Sequence, residues 1–378
     1  MRIAAFGDAH LGRSYLPYTE HGVNVREHDF ERSFEAAVDL ALAQQPDLVI
    51  WLGDIFDHPR PSYRSFRLAQ RALRTIRDHG VEVVVITGNH DTPRLPGQGS
   101  PYSALADTFG GDRGGVHFAH RLQYERFEFG GPGGLVVHAV PQMLTVDATL
   151  DALDQADKQR DLDRTNLLLA HPLVPSVERR YADINEIEVD TGRLRSDLVL
   201  LGHYHFHVKV GDGIWYAGST DTFTFADDPD KAKGVVVLDT DTGACTHVAL
   251  PDQRPLVTLE TIDAIGLSPA EVQQRVLERA SAVPDGAVAR LFVDNVDPEA
   301  YRLLDLDAVR DAARNALHLK LEPTFTGAAY RWEPTGLDTM PARWAGYVEH
   351  QDLTGFDRNR IKTLGDDYLL TAVEEAVE

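Results

Sequence analysis

Five times within the first 205 residues, a short and largely apolar run stops at residues able to hold a metal ion. Residues 3–6 lead into Gly7-Asp8-Ala9-His10, and 48–52 into Gly53-Asp54-Ile55-Phe56-Asp57. Residues 81–86 lead into Thr87-Gly88-Asn89-His90-Asp91. Further along, 167–170 ends at His171 and 198–201 at Gly202-His203-Tyr204-His205. Apolar runs of ~4–8 residues without polar alternation read as strands buried on both faces. Such strands need a second layer on each side, which limits the chain to sheets covered by helices.

Segments of helical character, 31–45 and 63–79, separate the first three runs, giving a β-α-β-α-β order. Later stretches read as hairpins. Residues 122–129 and 135–140 flank Gly130-Gly131-Pro132-Gly133-Gly134, and 208–210 and 214–217 flank Gly211-Asp212-Gly213. Residues 235–238 and 245–250 flank a turn rich in Asp, Thr and Gly. The expectation is an α/β domain over 1–250, with two packed mixed sheets and outer helices. A small α+β domain is expected over 256–326. In it Ser268-Pro269-Ala270-Glu271 combines an N-cap serine, a proline at the first helical position and a capping-box glutamate, opening a helix to about Ser281. A strand at 288–293, a helix at 306–317 and a strand at 319–325 follow. Residues 346–378 read as a short helical tail that is too small to stabilise itself.

The strand ends carry the chemistry. Asp8, His10, Asp54, Asn89, His171, His203 and His205 offer carboxylate, amide and imidazole groups and no thiolate. That set suits Mn²⁺, Mg²⁺ or Fe²⁺ better than a structural zinc. Seven ligands exceed the need of one ion and suit two, with one carboxylate bridging. Two ions ~3.5–4 Å apart can clamp a phosphate oxygen and activate a bridging water. Each motif alone is also compatible with an ordinary turn, and Gly88-Asn89 would serve turn geometry equally well. It is the ordered conjunction, each member ending an apolar strand, that points to function. The Gly130 to Gly134 cluster lacks a following helix and a Lys-Ser/Thr pair, so it reads as a hairpin turn and not as a phosphate loop.

This set resembles the calcineurin-like metallophosphoesterase superfamily, whose pattern is D-x-H, G-D-x-x-D, G-N-H-[DE], a lone H, and G-H-x-H. Within it the chain is similar to the SbcD-type DNA repair nuclease subunit, the bacterial relative of the meiotic-recombination nuclease. The likeness rests on Gly7-Asp8-Ala9-His10-Leu11-Gly12, on Gly53 to Asp57 followed by Arg60-Pro61-Ser62, and on Gly88-Asn89-His90-Asp91-Thr92-Pro93. Ile214-Trp215-Tyr216-Ala217-Gly218-Ser219-Thr220 also resembles the family's segment after the last histidine pair. The resemblance implies a metallophosphoesterase-type two-sheet sandwich with a capping domain at 256–326. It implies that Asp8, His10 and His205 hold one ion, that Asn89, His171 and His203 hold the other, and that Asp54 bridges them. His90 matches the family's catalytic histidine. Asp57 matches an acidic position that orients His90 or a metal-bound histidine, although some relatives carry histidine there. The ions implied are Mn²⁺, with Mg²⁺ and Fe²⁺ compatible.

By the same resemblance the function is a DNA exonuclease and endonuclease in repair and recombination, acting as a homodimer. Its partner would be an SbcC-like coiled-coil ATPase, gripped by 346–378 through Gly355-Phe356-Asp357-Arg358 and Tyr368-Leu369-Leu370. Charge opposes this reading: 37 basic against 59 acidic residues leave a net −22, which repels nucleic acid unless basic charge is local. Arg64, Arg67, Arg71 and Arg74 recur along one helical stripe that could track phosphates, or could equally be a solvated face or border a twin subunit. The alternative function is a phosphatase or cyclic-nucleotide diesterase using the same ions, because fold and ligands do not choose the substrate. No run approaches ~18 apolar residues, so no membrane span is expected. A single cysteine, Cys245, and a start without a signal-like segment lead to an expected cytoplasmic location.

Overall fold

The apolar runs are strands, and their alternate residues feed two different cores. In the computed structural model, residues 1–95, 98–111, 115–131, 133–177, 186–227 and 231–326 are described, with 344, 348, 358–363 and 365. The proposed docking segment at 346–378 therefore lies largely outside the described residues. In chain order, β1 (Arg2–Phe6) precedes a ribbon of β2 (Thr19–Glu20) and β3 (Val23–Asn24). Then come α1 (Val25–Ala43), β4 (Leu48–Leu52), α2 (Tyr63–Asp78), β5 (Glu82–Ile86), α3 (Pro101–Phe109) and β6 (Val116–Ala119). Next are β7 (Glu125–Phe129), β8 (Leu135–Ala139), α4 (Val146–Lys158), β9 (Thr165–Ala170) and β10 (Leu198–Leu201). The hairpins β11 (Val208–Gly211) with β12 (Ile214–Tyr216) and β13 (Gly234–Asp239) with β14 (Cys245–Ala249) follow.

Two six-stranded mixed sheets result, ordered β14-β13-β1-β4-β5-β6 and β11-β12-β10-β9-β8-β7. The step of two along each strand separates the cores. Ile3, Ala5, Leu48, Ile50 and Leu52 meet Leu167, Leu169, Leu198 and Leu200 between the sheets. Ala4, Phe6, Val49 and Trp51 face outward under α1 and α2, where Phe34, Leu68 and Leu73 cover them. On the far side Leu168, Ala170, Val199 and Leu201 lie with Ala152 and Leu153 of α4. β1, β4, β5 and β6 run parallel, as do β8, β9 and β10, so their carboxyl ends share one edge of each sheet. That edge is where open α/β sheets place their sites.

The structure departs from the sequence expectation in three ways. α1 starts at Val25 rather than 31, capped by Asn24, whose side chain accepts from Arg26 N and Glu27 N. Its first turn hides Arg26 and Asp29 as a buried ion pair 2.9 Å apart, so its polarity masks a buried helical face. α3, α4, β6 and the β2–β3 ribbon have no counterpart in the sequence expectation. The helix expected over 306–317 ends at Ala312, and Leu317 N is drawn instead to Ala287 O at 2.9 Å.

By Cα proximity the chain divides into units Met1–Leu256 and Val257–Glu378. In the second, β17 (Val288–Val296) pairs with β15 (Leu256–Thr258), β16 (Ile262–Asp263) and β18 (His318–Phe325). Its helices are α5 (Pro269–Ser281), α6 (Pro298–Arg302) and α7 (Leu306–Ala312). Both reciprocal bonds of the Ser268/Glu271 capping box are present. Val272, Val276, Leu291 and Val293 form this unit's own core. Among the described residues no helix is long and apolar enough to cross a membrane.

Candidate metal centre

At the shared carboxyl edge the chain leaves each strand by a tight turn. Asp8, His10, Asp54 and His203 have φ of 49°, 46°, 49° and 88° respectively. Left-handed backbone costs a non-glycine residue ~1–2 kcal/mol, and such strain gathers at functional sites. Asp91 ties two turns together: its carboxylate accepts from Gly88 N at 2.7 Å, Ile55 N at 3.1 Å and Tyr102 OH at 2.6 Å. Gly88 is required by packing, since a Cβ there would strike the Asp54 carboxylate and come within 2.6 Å of His171 Nε2.

The seven ligand-type residues named from the sequence converge in the folded chain. Asp8, His10 and His205 present ligand atoms within 4.8 Å of one another, and so do Asp54, His171 and His203. Asn89 joins the second group, its Oδ1 3.0 Å from His203 Nδ1. Asp8 also accepts from His203 N at 3.0 Å, linking the groups across 195 residues of sequence. Of these seven, Asn89 is 2% exposed and His203 6% exposed, so the donors meet in a nearly closed space.

The donor set fits divalent cations. His171 faces oxygens with both ring nitrogens, Nδ1 toward Leu52 O at 2.6 Å and Nε2 toward Asp54 Oδ2 at 3.2 Å. The second contact lacks hydrogen-bond alignment, leaving Nε2 buried without a true partner. His203 likewise has Asn89 Oδ1 on one side and Glu186 Oε2 at 3.4 Å on the other. On the opposite side, His10 Nε2 and His205 Nε2 face each other at 3.2 Å, and only one of them can hold a proton there. Acceptors around two imidazoles and lone pairs meeting between two others are an arrangement that positive ions relieve.

Electrostatics agree with that geometry. Burial pushes the Asp54 carboxyl up, but His171, His90 and His10 outweigh it and hold it far below the usual carboxylate range. Burial disfavours a charged His171, yet Asp54 and Asp8 raise it to about 9. The proton so held is the one a cation would displace. Burial lowers His10, opposed by its bond to Asp57. Burial and the charge of Asp54 raise Asp91 to about 7.

His90 and Asp57 sit beside the first group. The His90 ring packs edge-on to His10 with centroids 4.6 Å apart, and His90 Nδ1 meets the Asp57 backbone carbonyl at 3.2 Å. The Asp57 carboxylate bonds His10 Nδ1 at 3.1 Å and lies 3.7 Å from His90 Nδ1, beyond hydrogen-bond range. Asp57 thus braces His10 by its side chain and His90 by its main chain. A cavity of about 550 Å³ opens alongside, lined by His90, Asn89, Arg60, Arg94 and Leu95 among others. The arginine stripe lies elsewhere: Arg64 pairs with Glu31 and Arg71 with Glu35, while Arg67 lines the same groove between α1 and α2.

Two carboxylates escaped the sequence reading. Asp227 Oδ1 lies 2.8 Å from His205 Nδ1, and Glu186 approaches His203. Burial raises Asp227, but the neighbouring His205 outweighs it and holds the carboxyl well below the usual range. Neither residue stands at a motif spacing or a strand end, so the sequence carries no local signal for them.

Buried carboxylates and imidazoles on the ends of a two-sheet sandwich define a phosphoesterase architecture. Residues 1–207 match the calcineurin-like phosphoesterase family, and the chain belongs to it. More particularly, it is similar to archaeal proteins named DNA double-strand break repair protein Mre11. That of Methanococcus maripaludis is 25% identical over 232 residues, 59% of this chain and 59% of the relative. That of Thermoplasma acidophilum is 25% identical over 269 residues, covering 68% of this chain and 67% of the relative. The Haloferax volcanii protein is 28% identical over 281 residues, covering 73% and 58%. The chain thus spans roughly three-fifths to two-thirds of the length of these curated relatives. Among solved structures, a dimetal phosphatase from Danio rerio aligns with 62% of this chain and 91% of that chain, at 12% identity and a TM-score of 0.34.

Proposed function

We propose that this chain is a DNA phosphodiesterase of break repair that works with two divalent ions, Mn²⁺ in the first instance. The observation that carries the proposal is the pair of buried ligand groups, Asp8, His10 and His205 in one and Asp54, His171 and His203 in the other, with His90 and an open cavity beside them. Asp8, His10 and His205 would hold one ion, Asn89, His171 and His203 the other, and Asp54 both. Ions held there would lower the pKa of a bound water and neutralise charge on a phosphodiester. His90 has the protein's proton-handling role. Its Nδ1 donates to the Asp57 carbonyl, so only the protonated ring, the imidazolium, would donate from Nε2 to the leaving oxygen or to the charged transition state. Arg60 and Arg94, on the cavity wall, supply local positive charge against the acidic background.

Support for DNA as the substrate comes from the names of the similar archaeal proteins. The same reading assigns a cytoplasmic site of action, a homodimer, capping by the 256–326 domain and docking of an SbcC-like ATPase on 346–378. The experiment offers Mn²⁺-loaded full chain three substrates: labelled duplex ends, single-stranded hairpins and bis-p-nitrophenyl phosphate. DNA cleavage that weakens steeply with salt, beside salt-tolerant hydrolysis of the small ester, supports the reading. No DNA cleavage with or without the ATPase, together with efficient turnover of a cyclic nucleotide or phosphomonoester, would replace it with the small-substrate alternative.

A further inference from the structure

His205 is gripped from outside at both its ring and its main chain. Asp227 Oδ1 lies 2.8 Å from its Nδ1, while Oδ2 accepts from Phe223 N at 3.1 Å and Thr224 N at 3.0 Å. With both oxygens committed and only 2% exposure, the carboxylate has no freedom to turn. The main chain of His205 is held too, its carbonyl accepting from Lys233 Nζ at 2.6 Å and Ser219 N at 3.3 Å. Phe223 closes the side, its ring edge-on to His205 at 5.2 Å and to His10 at 5.0 Å. An ionised carboxylate only accepts hydrogen bonds, so the His205 proton must sit on Nδ1. Its lone pair is then on Nε2, the atom aimed at His10 Nε2.

We propose that Asp227 is a positioning residue that sets the tautomer and aim of His205 for a divalent cation, which makes the segment 223–227 a working part of the centre. This segment lies beyond the region 1–207 that matches the family. The proposal rests on the two-ion reading above. Its physical content is that a carboxylate behind a ligating imidazole raises the basicity of the inward nitrogen and removes the cost of choosing a rotamer and tautomer. Loss of such a partner typically weakens metal affinity ~10–100-fold.

The test is Mn²⁺ calorimetry on the full chain, with electron paramagnetic resonance of the bound ions. In Asp227→Asn the side-chain oxygen can keep the Phe223 and Thr224 N–H groups while the amide donates to His205 Nδ1. That moves the His205 proton to Nε2. One of two bound ions should weaken ~10–100-fold, the other should keep its affinity, and the spin-coupled two-manganese signal should fade at limiting Mn²⁺. Asp221→Asn is the control for mere packing. Asp221 is buried just ahead of that segment, and its carboxylate is directed at Ser33 Oγ, 2.6 Å away, and Arg26, 3.6 Å away. It should bind both ions as the parent does, whatever happens to its melting point. Asp227→Ser, a smaller side chain, takes over if the asparagine variant does not fold. Two ions at parental affinity in the Asp227 variant would overturn the proposal, as would an equal loss in Asp221→Asn. Failure of the unmutated chain to bind two ions would instead strike the reading beneath it, and is read on the parent alone.

Discussion

The two sides of the centre are braced by different parts of the protein. At His171 the brace is main chain, although its neighbour His203 faces the Glu186 carboxylate at 3.4 Å. Leu52 O receives Nδ1, and added Cβ atoms at Gly53 and Gly202 would come within 2.6 Å of that same nitrogen. On the His10 and His205 side the braces are carboxylates, Asp57 and Asp227. Main-chain bracing needs glycines beside the ligands, so it is written into the motifs. Carboxylate bracing needs only an acid that the fold brings near, from anywhere in the chain. The first should tolerate no added atom, whereas the second should degrade in steps.

The strongest way to break the comparison is at Asp54, the residue proposed to hold both ions. Asp54→Asn should remove at least one ion and cut Mn²⁺-dependent turnover by ~10³-fold or more; full activity in a metal-depleted preparation would refute a shared role. Next is Gly88→Ala, whose methyl group would meet the Asp54 carboxylate and His171. It should cost ~1–3 kcal/mol of folding stability and displace the His171-side ion before the other, as denaturant titration and calorimetry would report. If both ions weakened equally, the sides would not be independently braced.

His90→Asn sharpens the contrast between holding ions and doing chemistry: kcat should fall ~10²–10⁴-fold with both ions kept. Falling occupancy would make His90 a ligand or prop. Asp57→Asn should act more mildly than the Asp227 change, because the Asp57 side chain is 30% exposed and water can replace part of its bond to His10. An affinity loss under ~10-fold is expected for it, and a larger one would reverse the ranking of the two carboxylates.

The smallest effect lies outside the centre, at His138. There Nδ1 accepts from Tyr124 OH at 2.8 Å and Nε2 donates to Asn166 Oδ1 at 3.1 Å. Burial lowers its pKa from 6.5, so below that pH the unfolded chain binds the proton first. The associated stability is present above about 6.5 and lost as pH falls toward the folded value. The melting point should therefore drop on acidification from neutral pH, and less steeply in His138→Gln. An unchanged slope would show that His138 does not titrate differently on folding.

Much of this protein can be read before it folds. Apolar runs at 3–6, 48–52, 81–86, 167–170 and 198–201 demanded strands covered on both faces, and alternate residues of each do enter separate cores. The seven ligand-type residues end those strands because a ligand at a parallel sheet's carboxyl edge must follow directly on the strand. Legibility fails where polarity is misleading. The start of α1 lies ahead of the helical segment read at 31–45, yet Arg26 and Asp29 are buried there. The stripe Arg64, Arg67, Arg71 and Arg74 reads as a phosphate track, a solvated face or the border of a twin subunit, and two of its members are instead matched by Glu31 and Glu35 on α1.

Sequence by itself determined the strands and the donor atoms, since apolar continuity, glycine and residue type act over a few neighbours. Tertiary structure alone decided which oxygen stands behind each imidazole: Leu52 O behind His171, 119 residues away, and Asp227 behind His205, 22 residues away. A hydrogen bond requires its donor and acceptor within about 3 Å, and between residues so far apart only the packing of the sheets and their loops can bring them there.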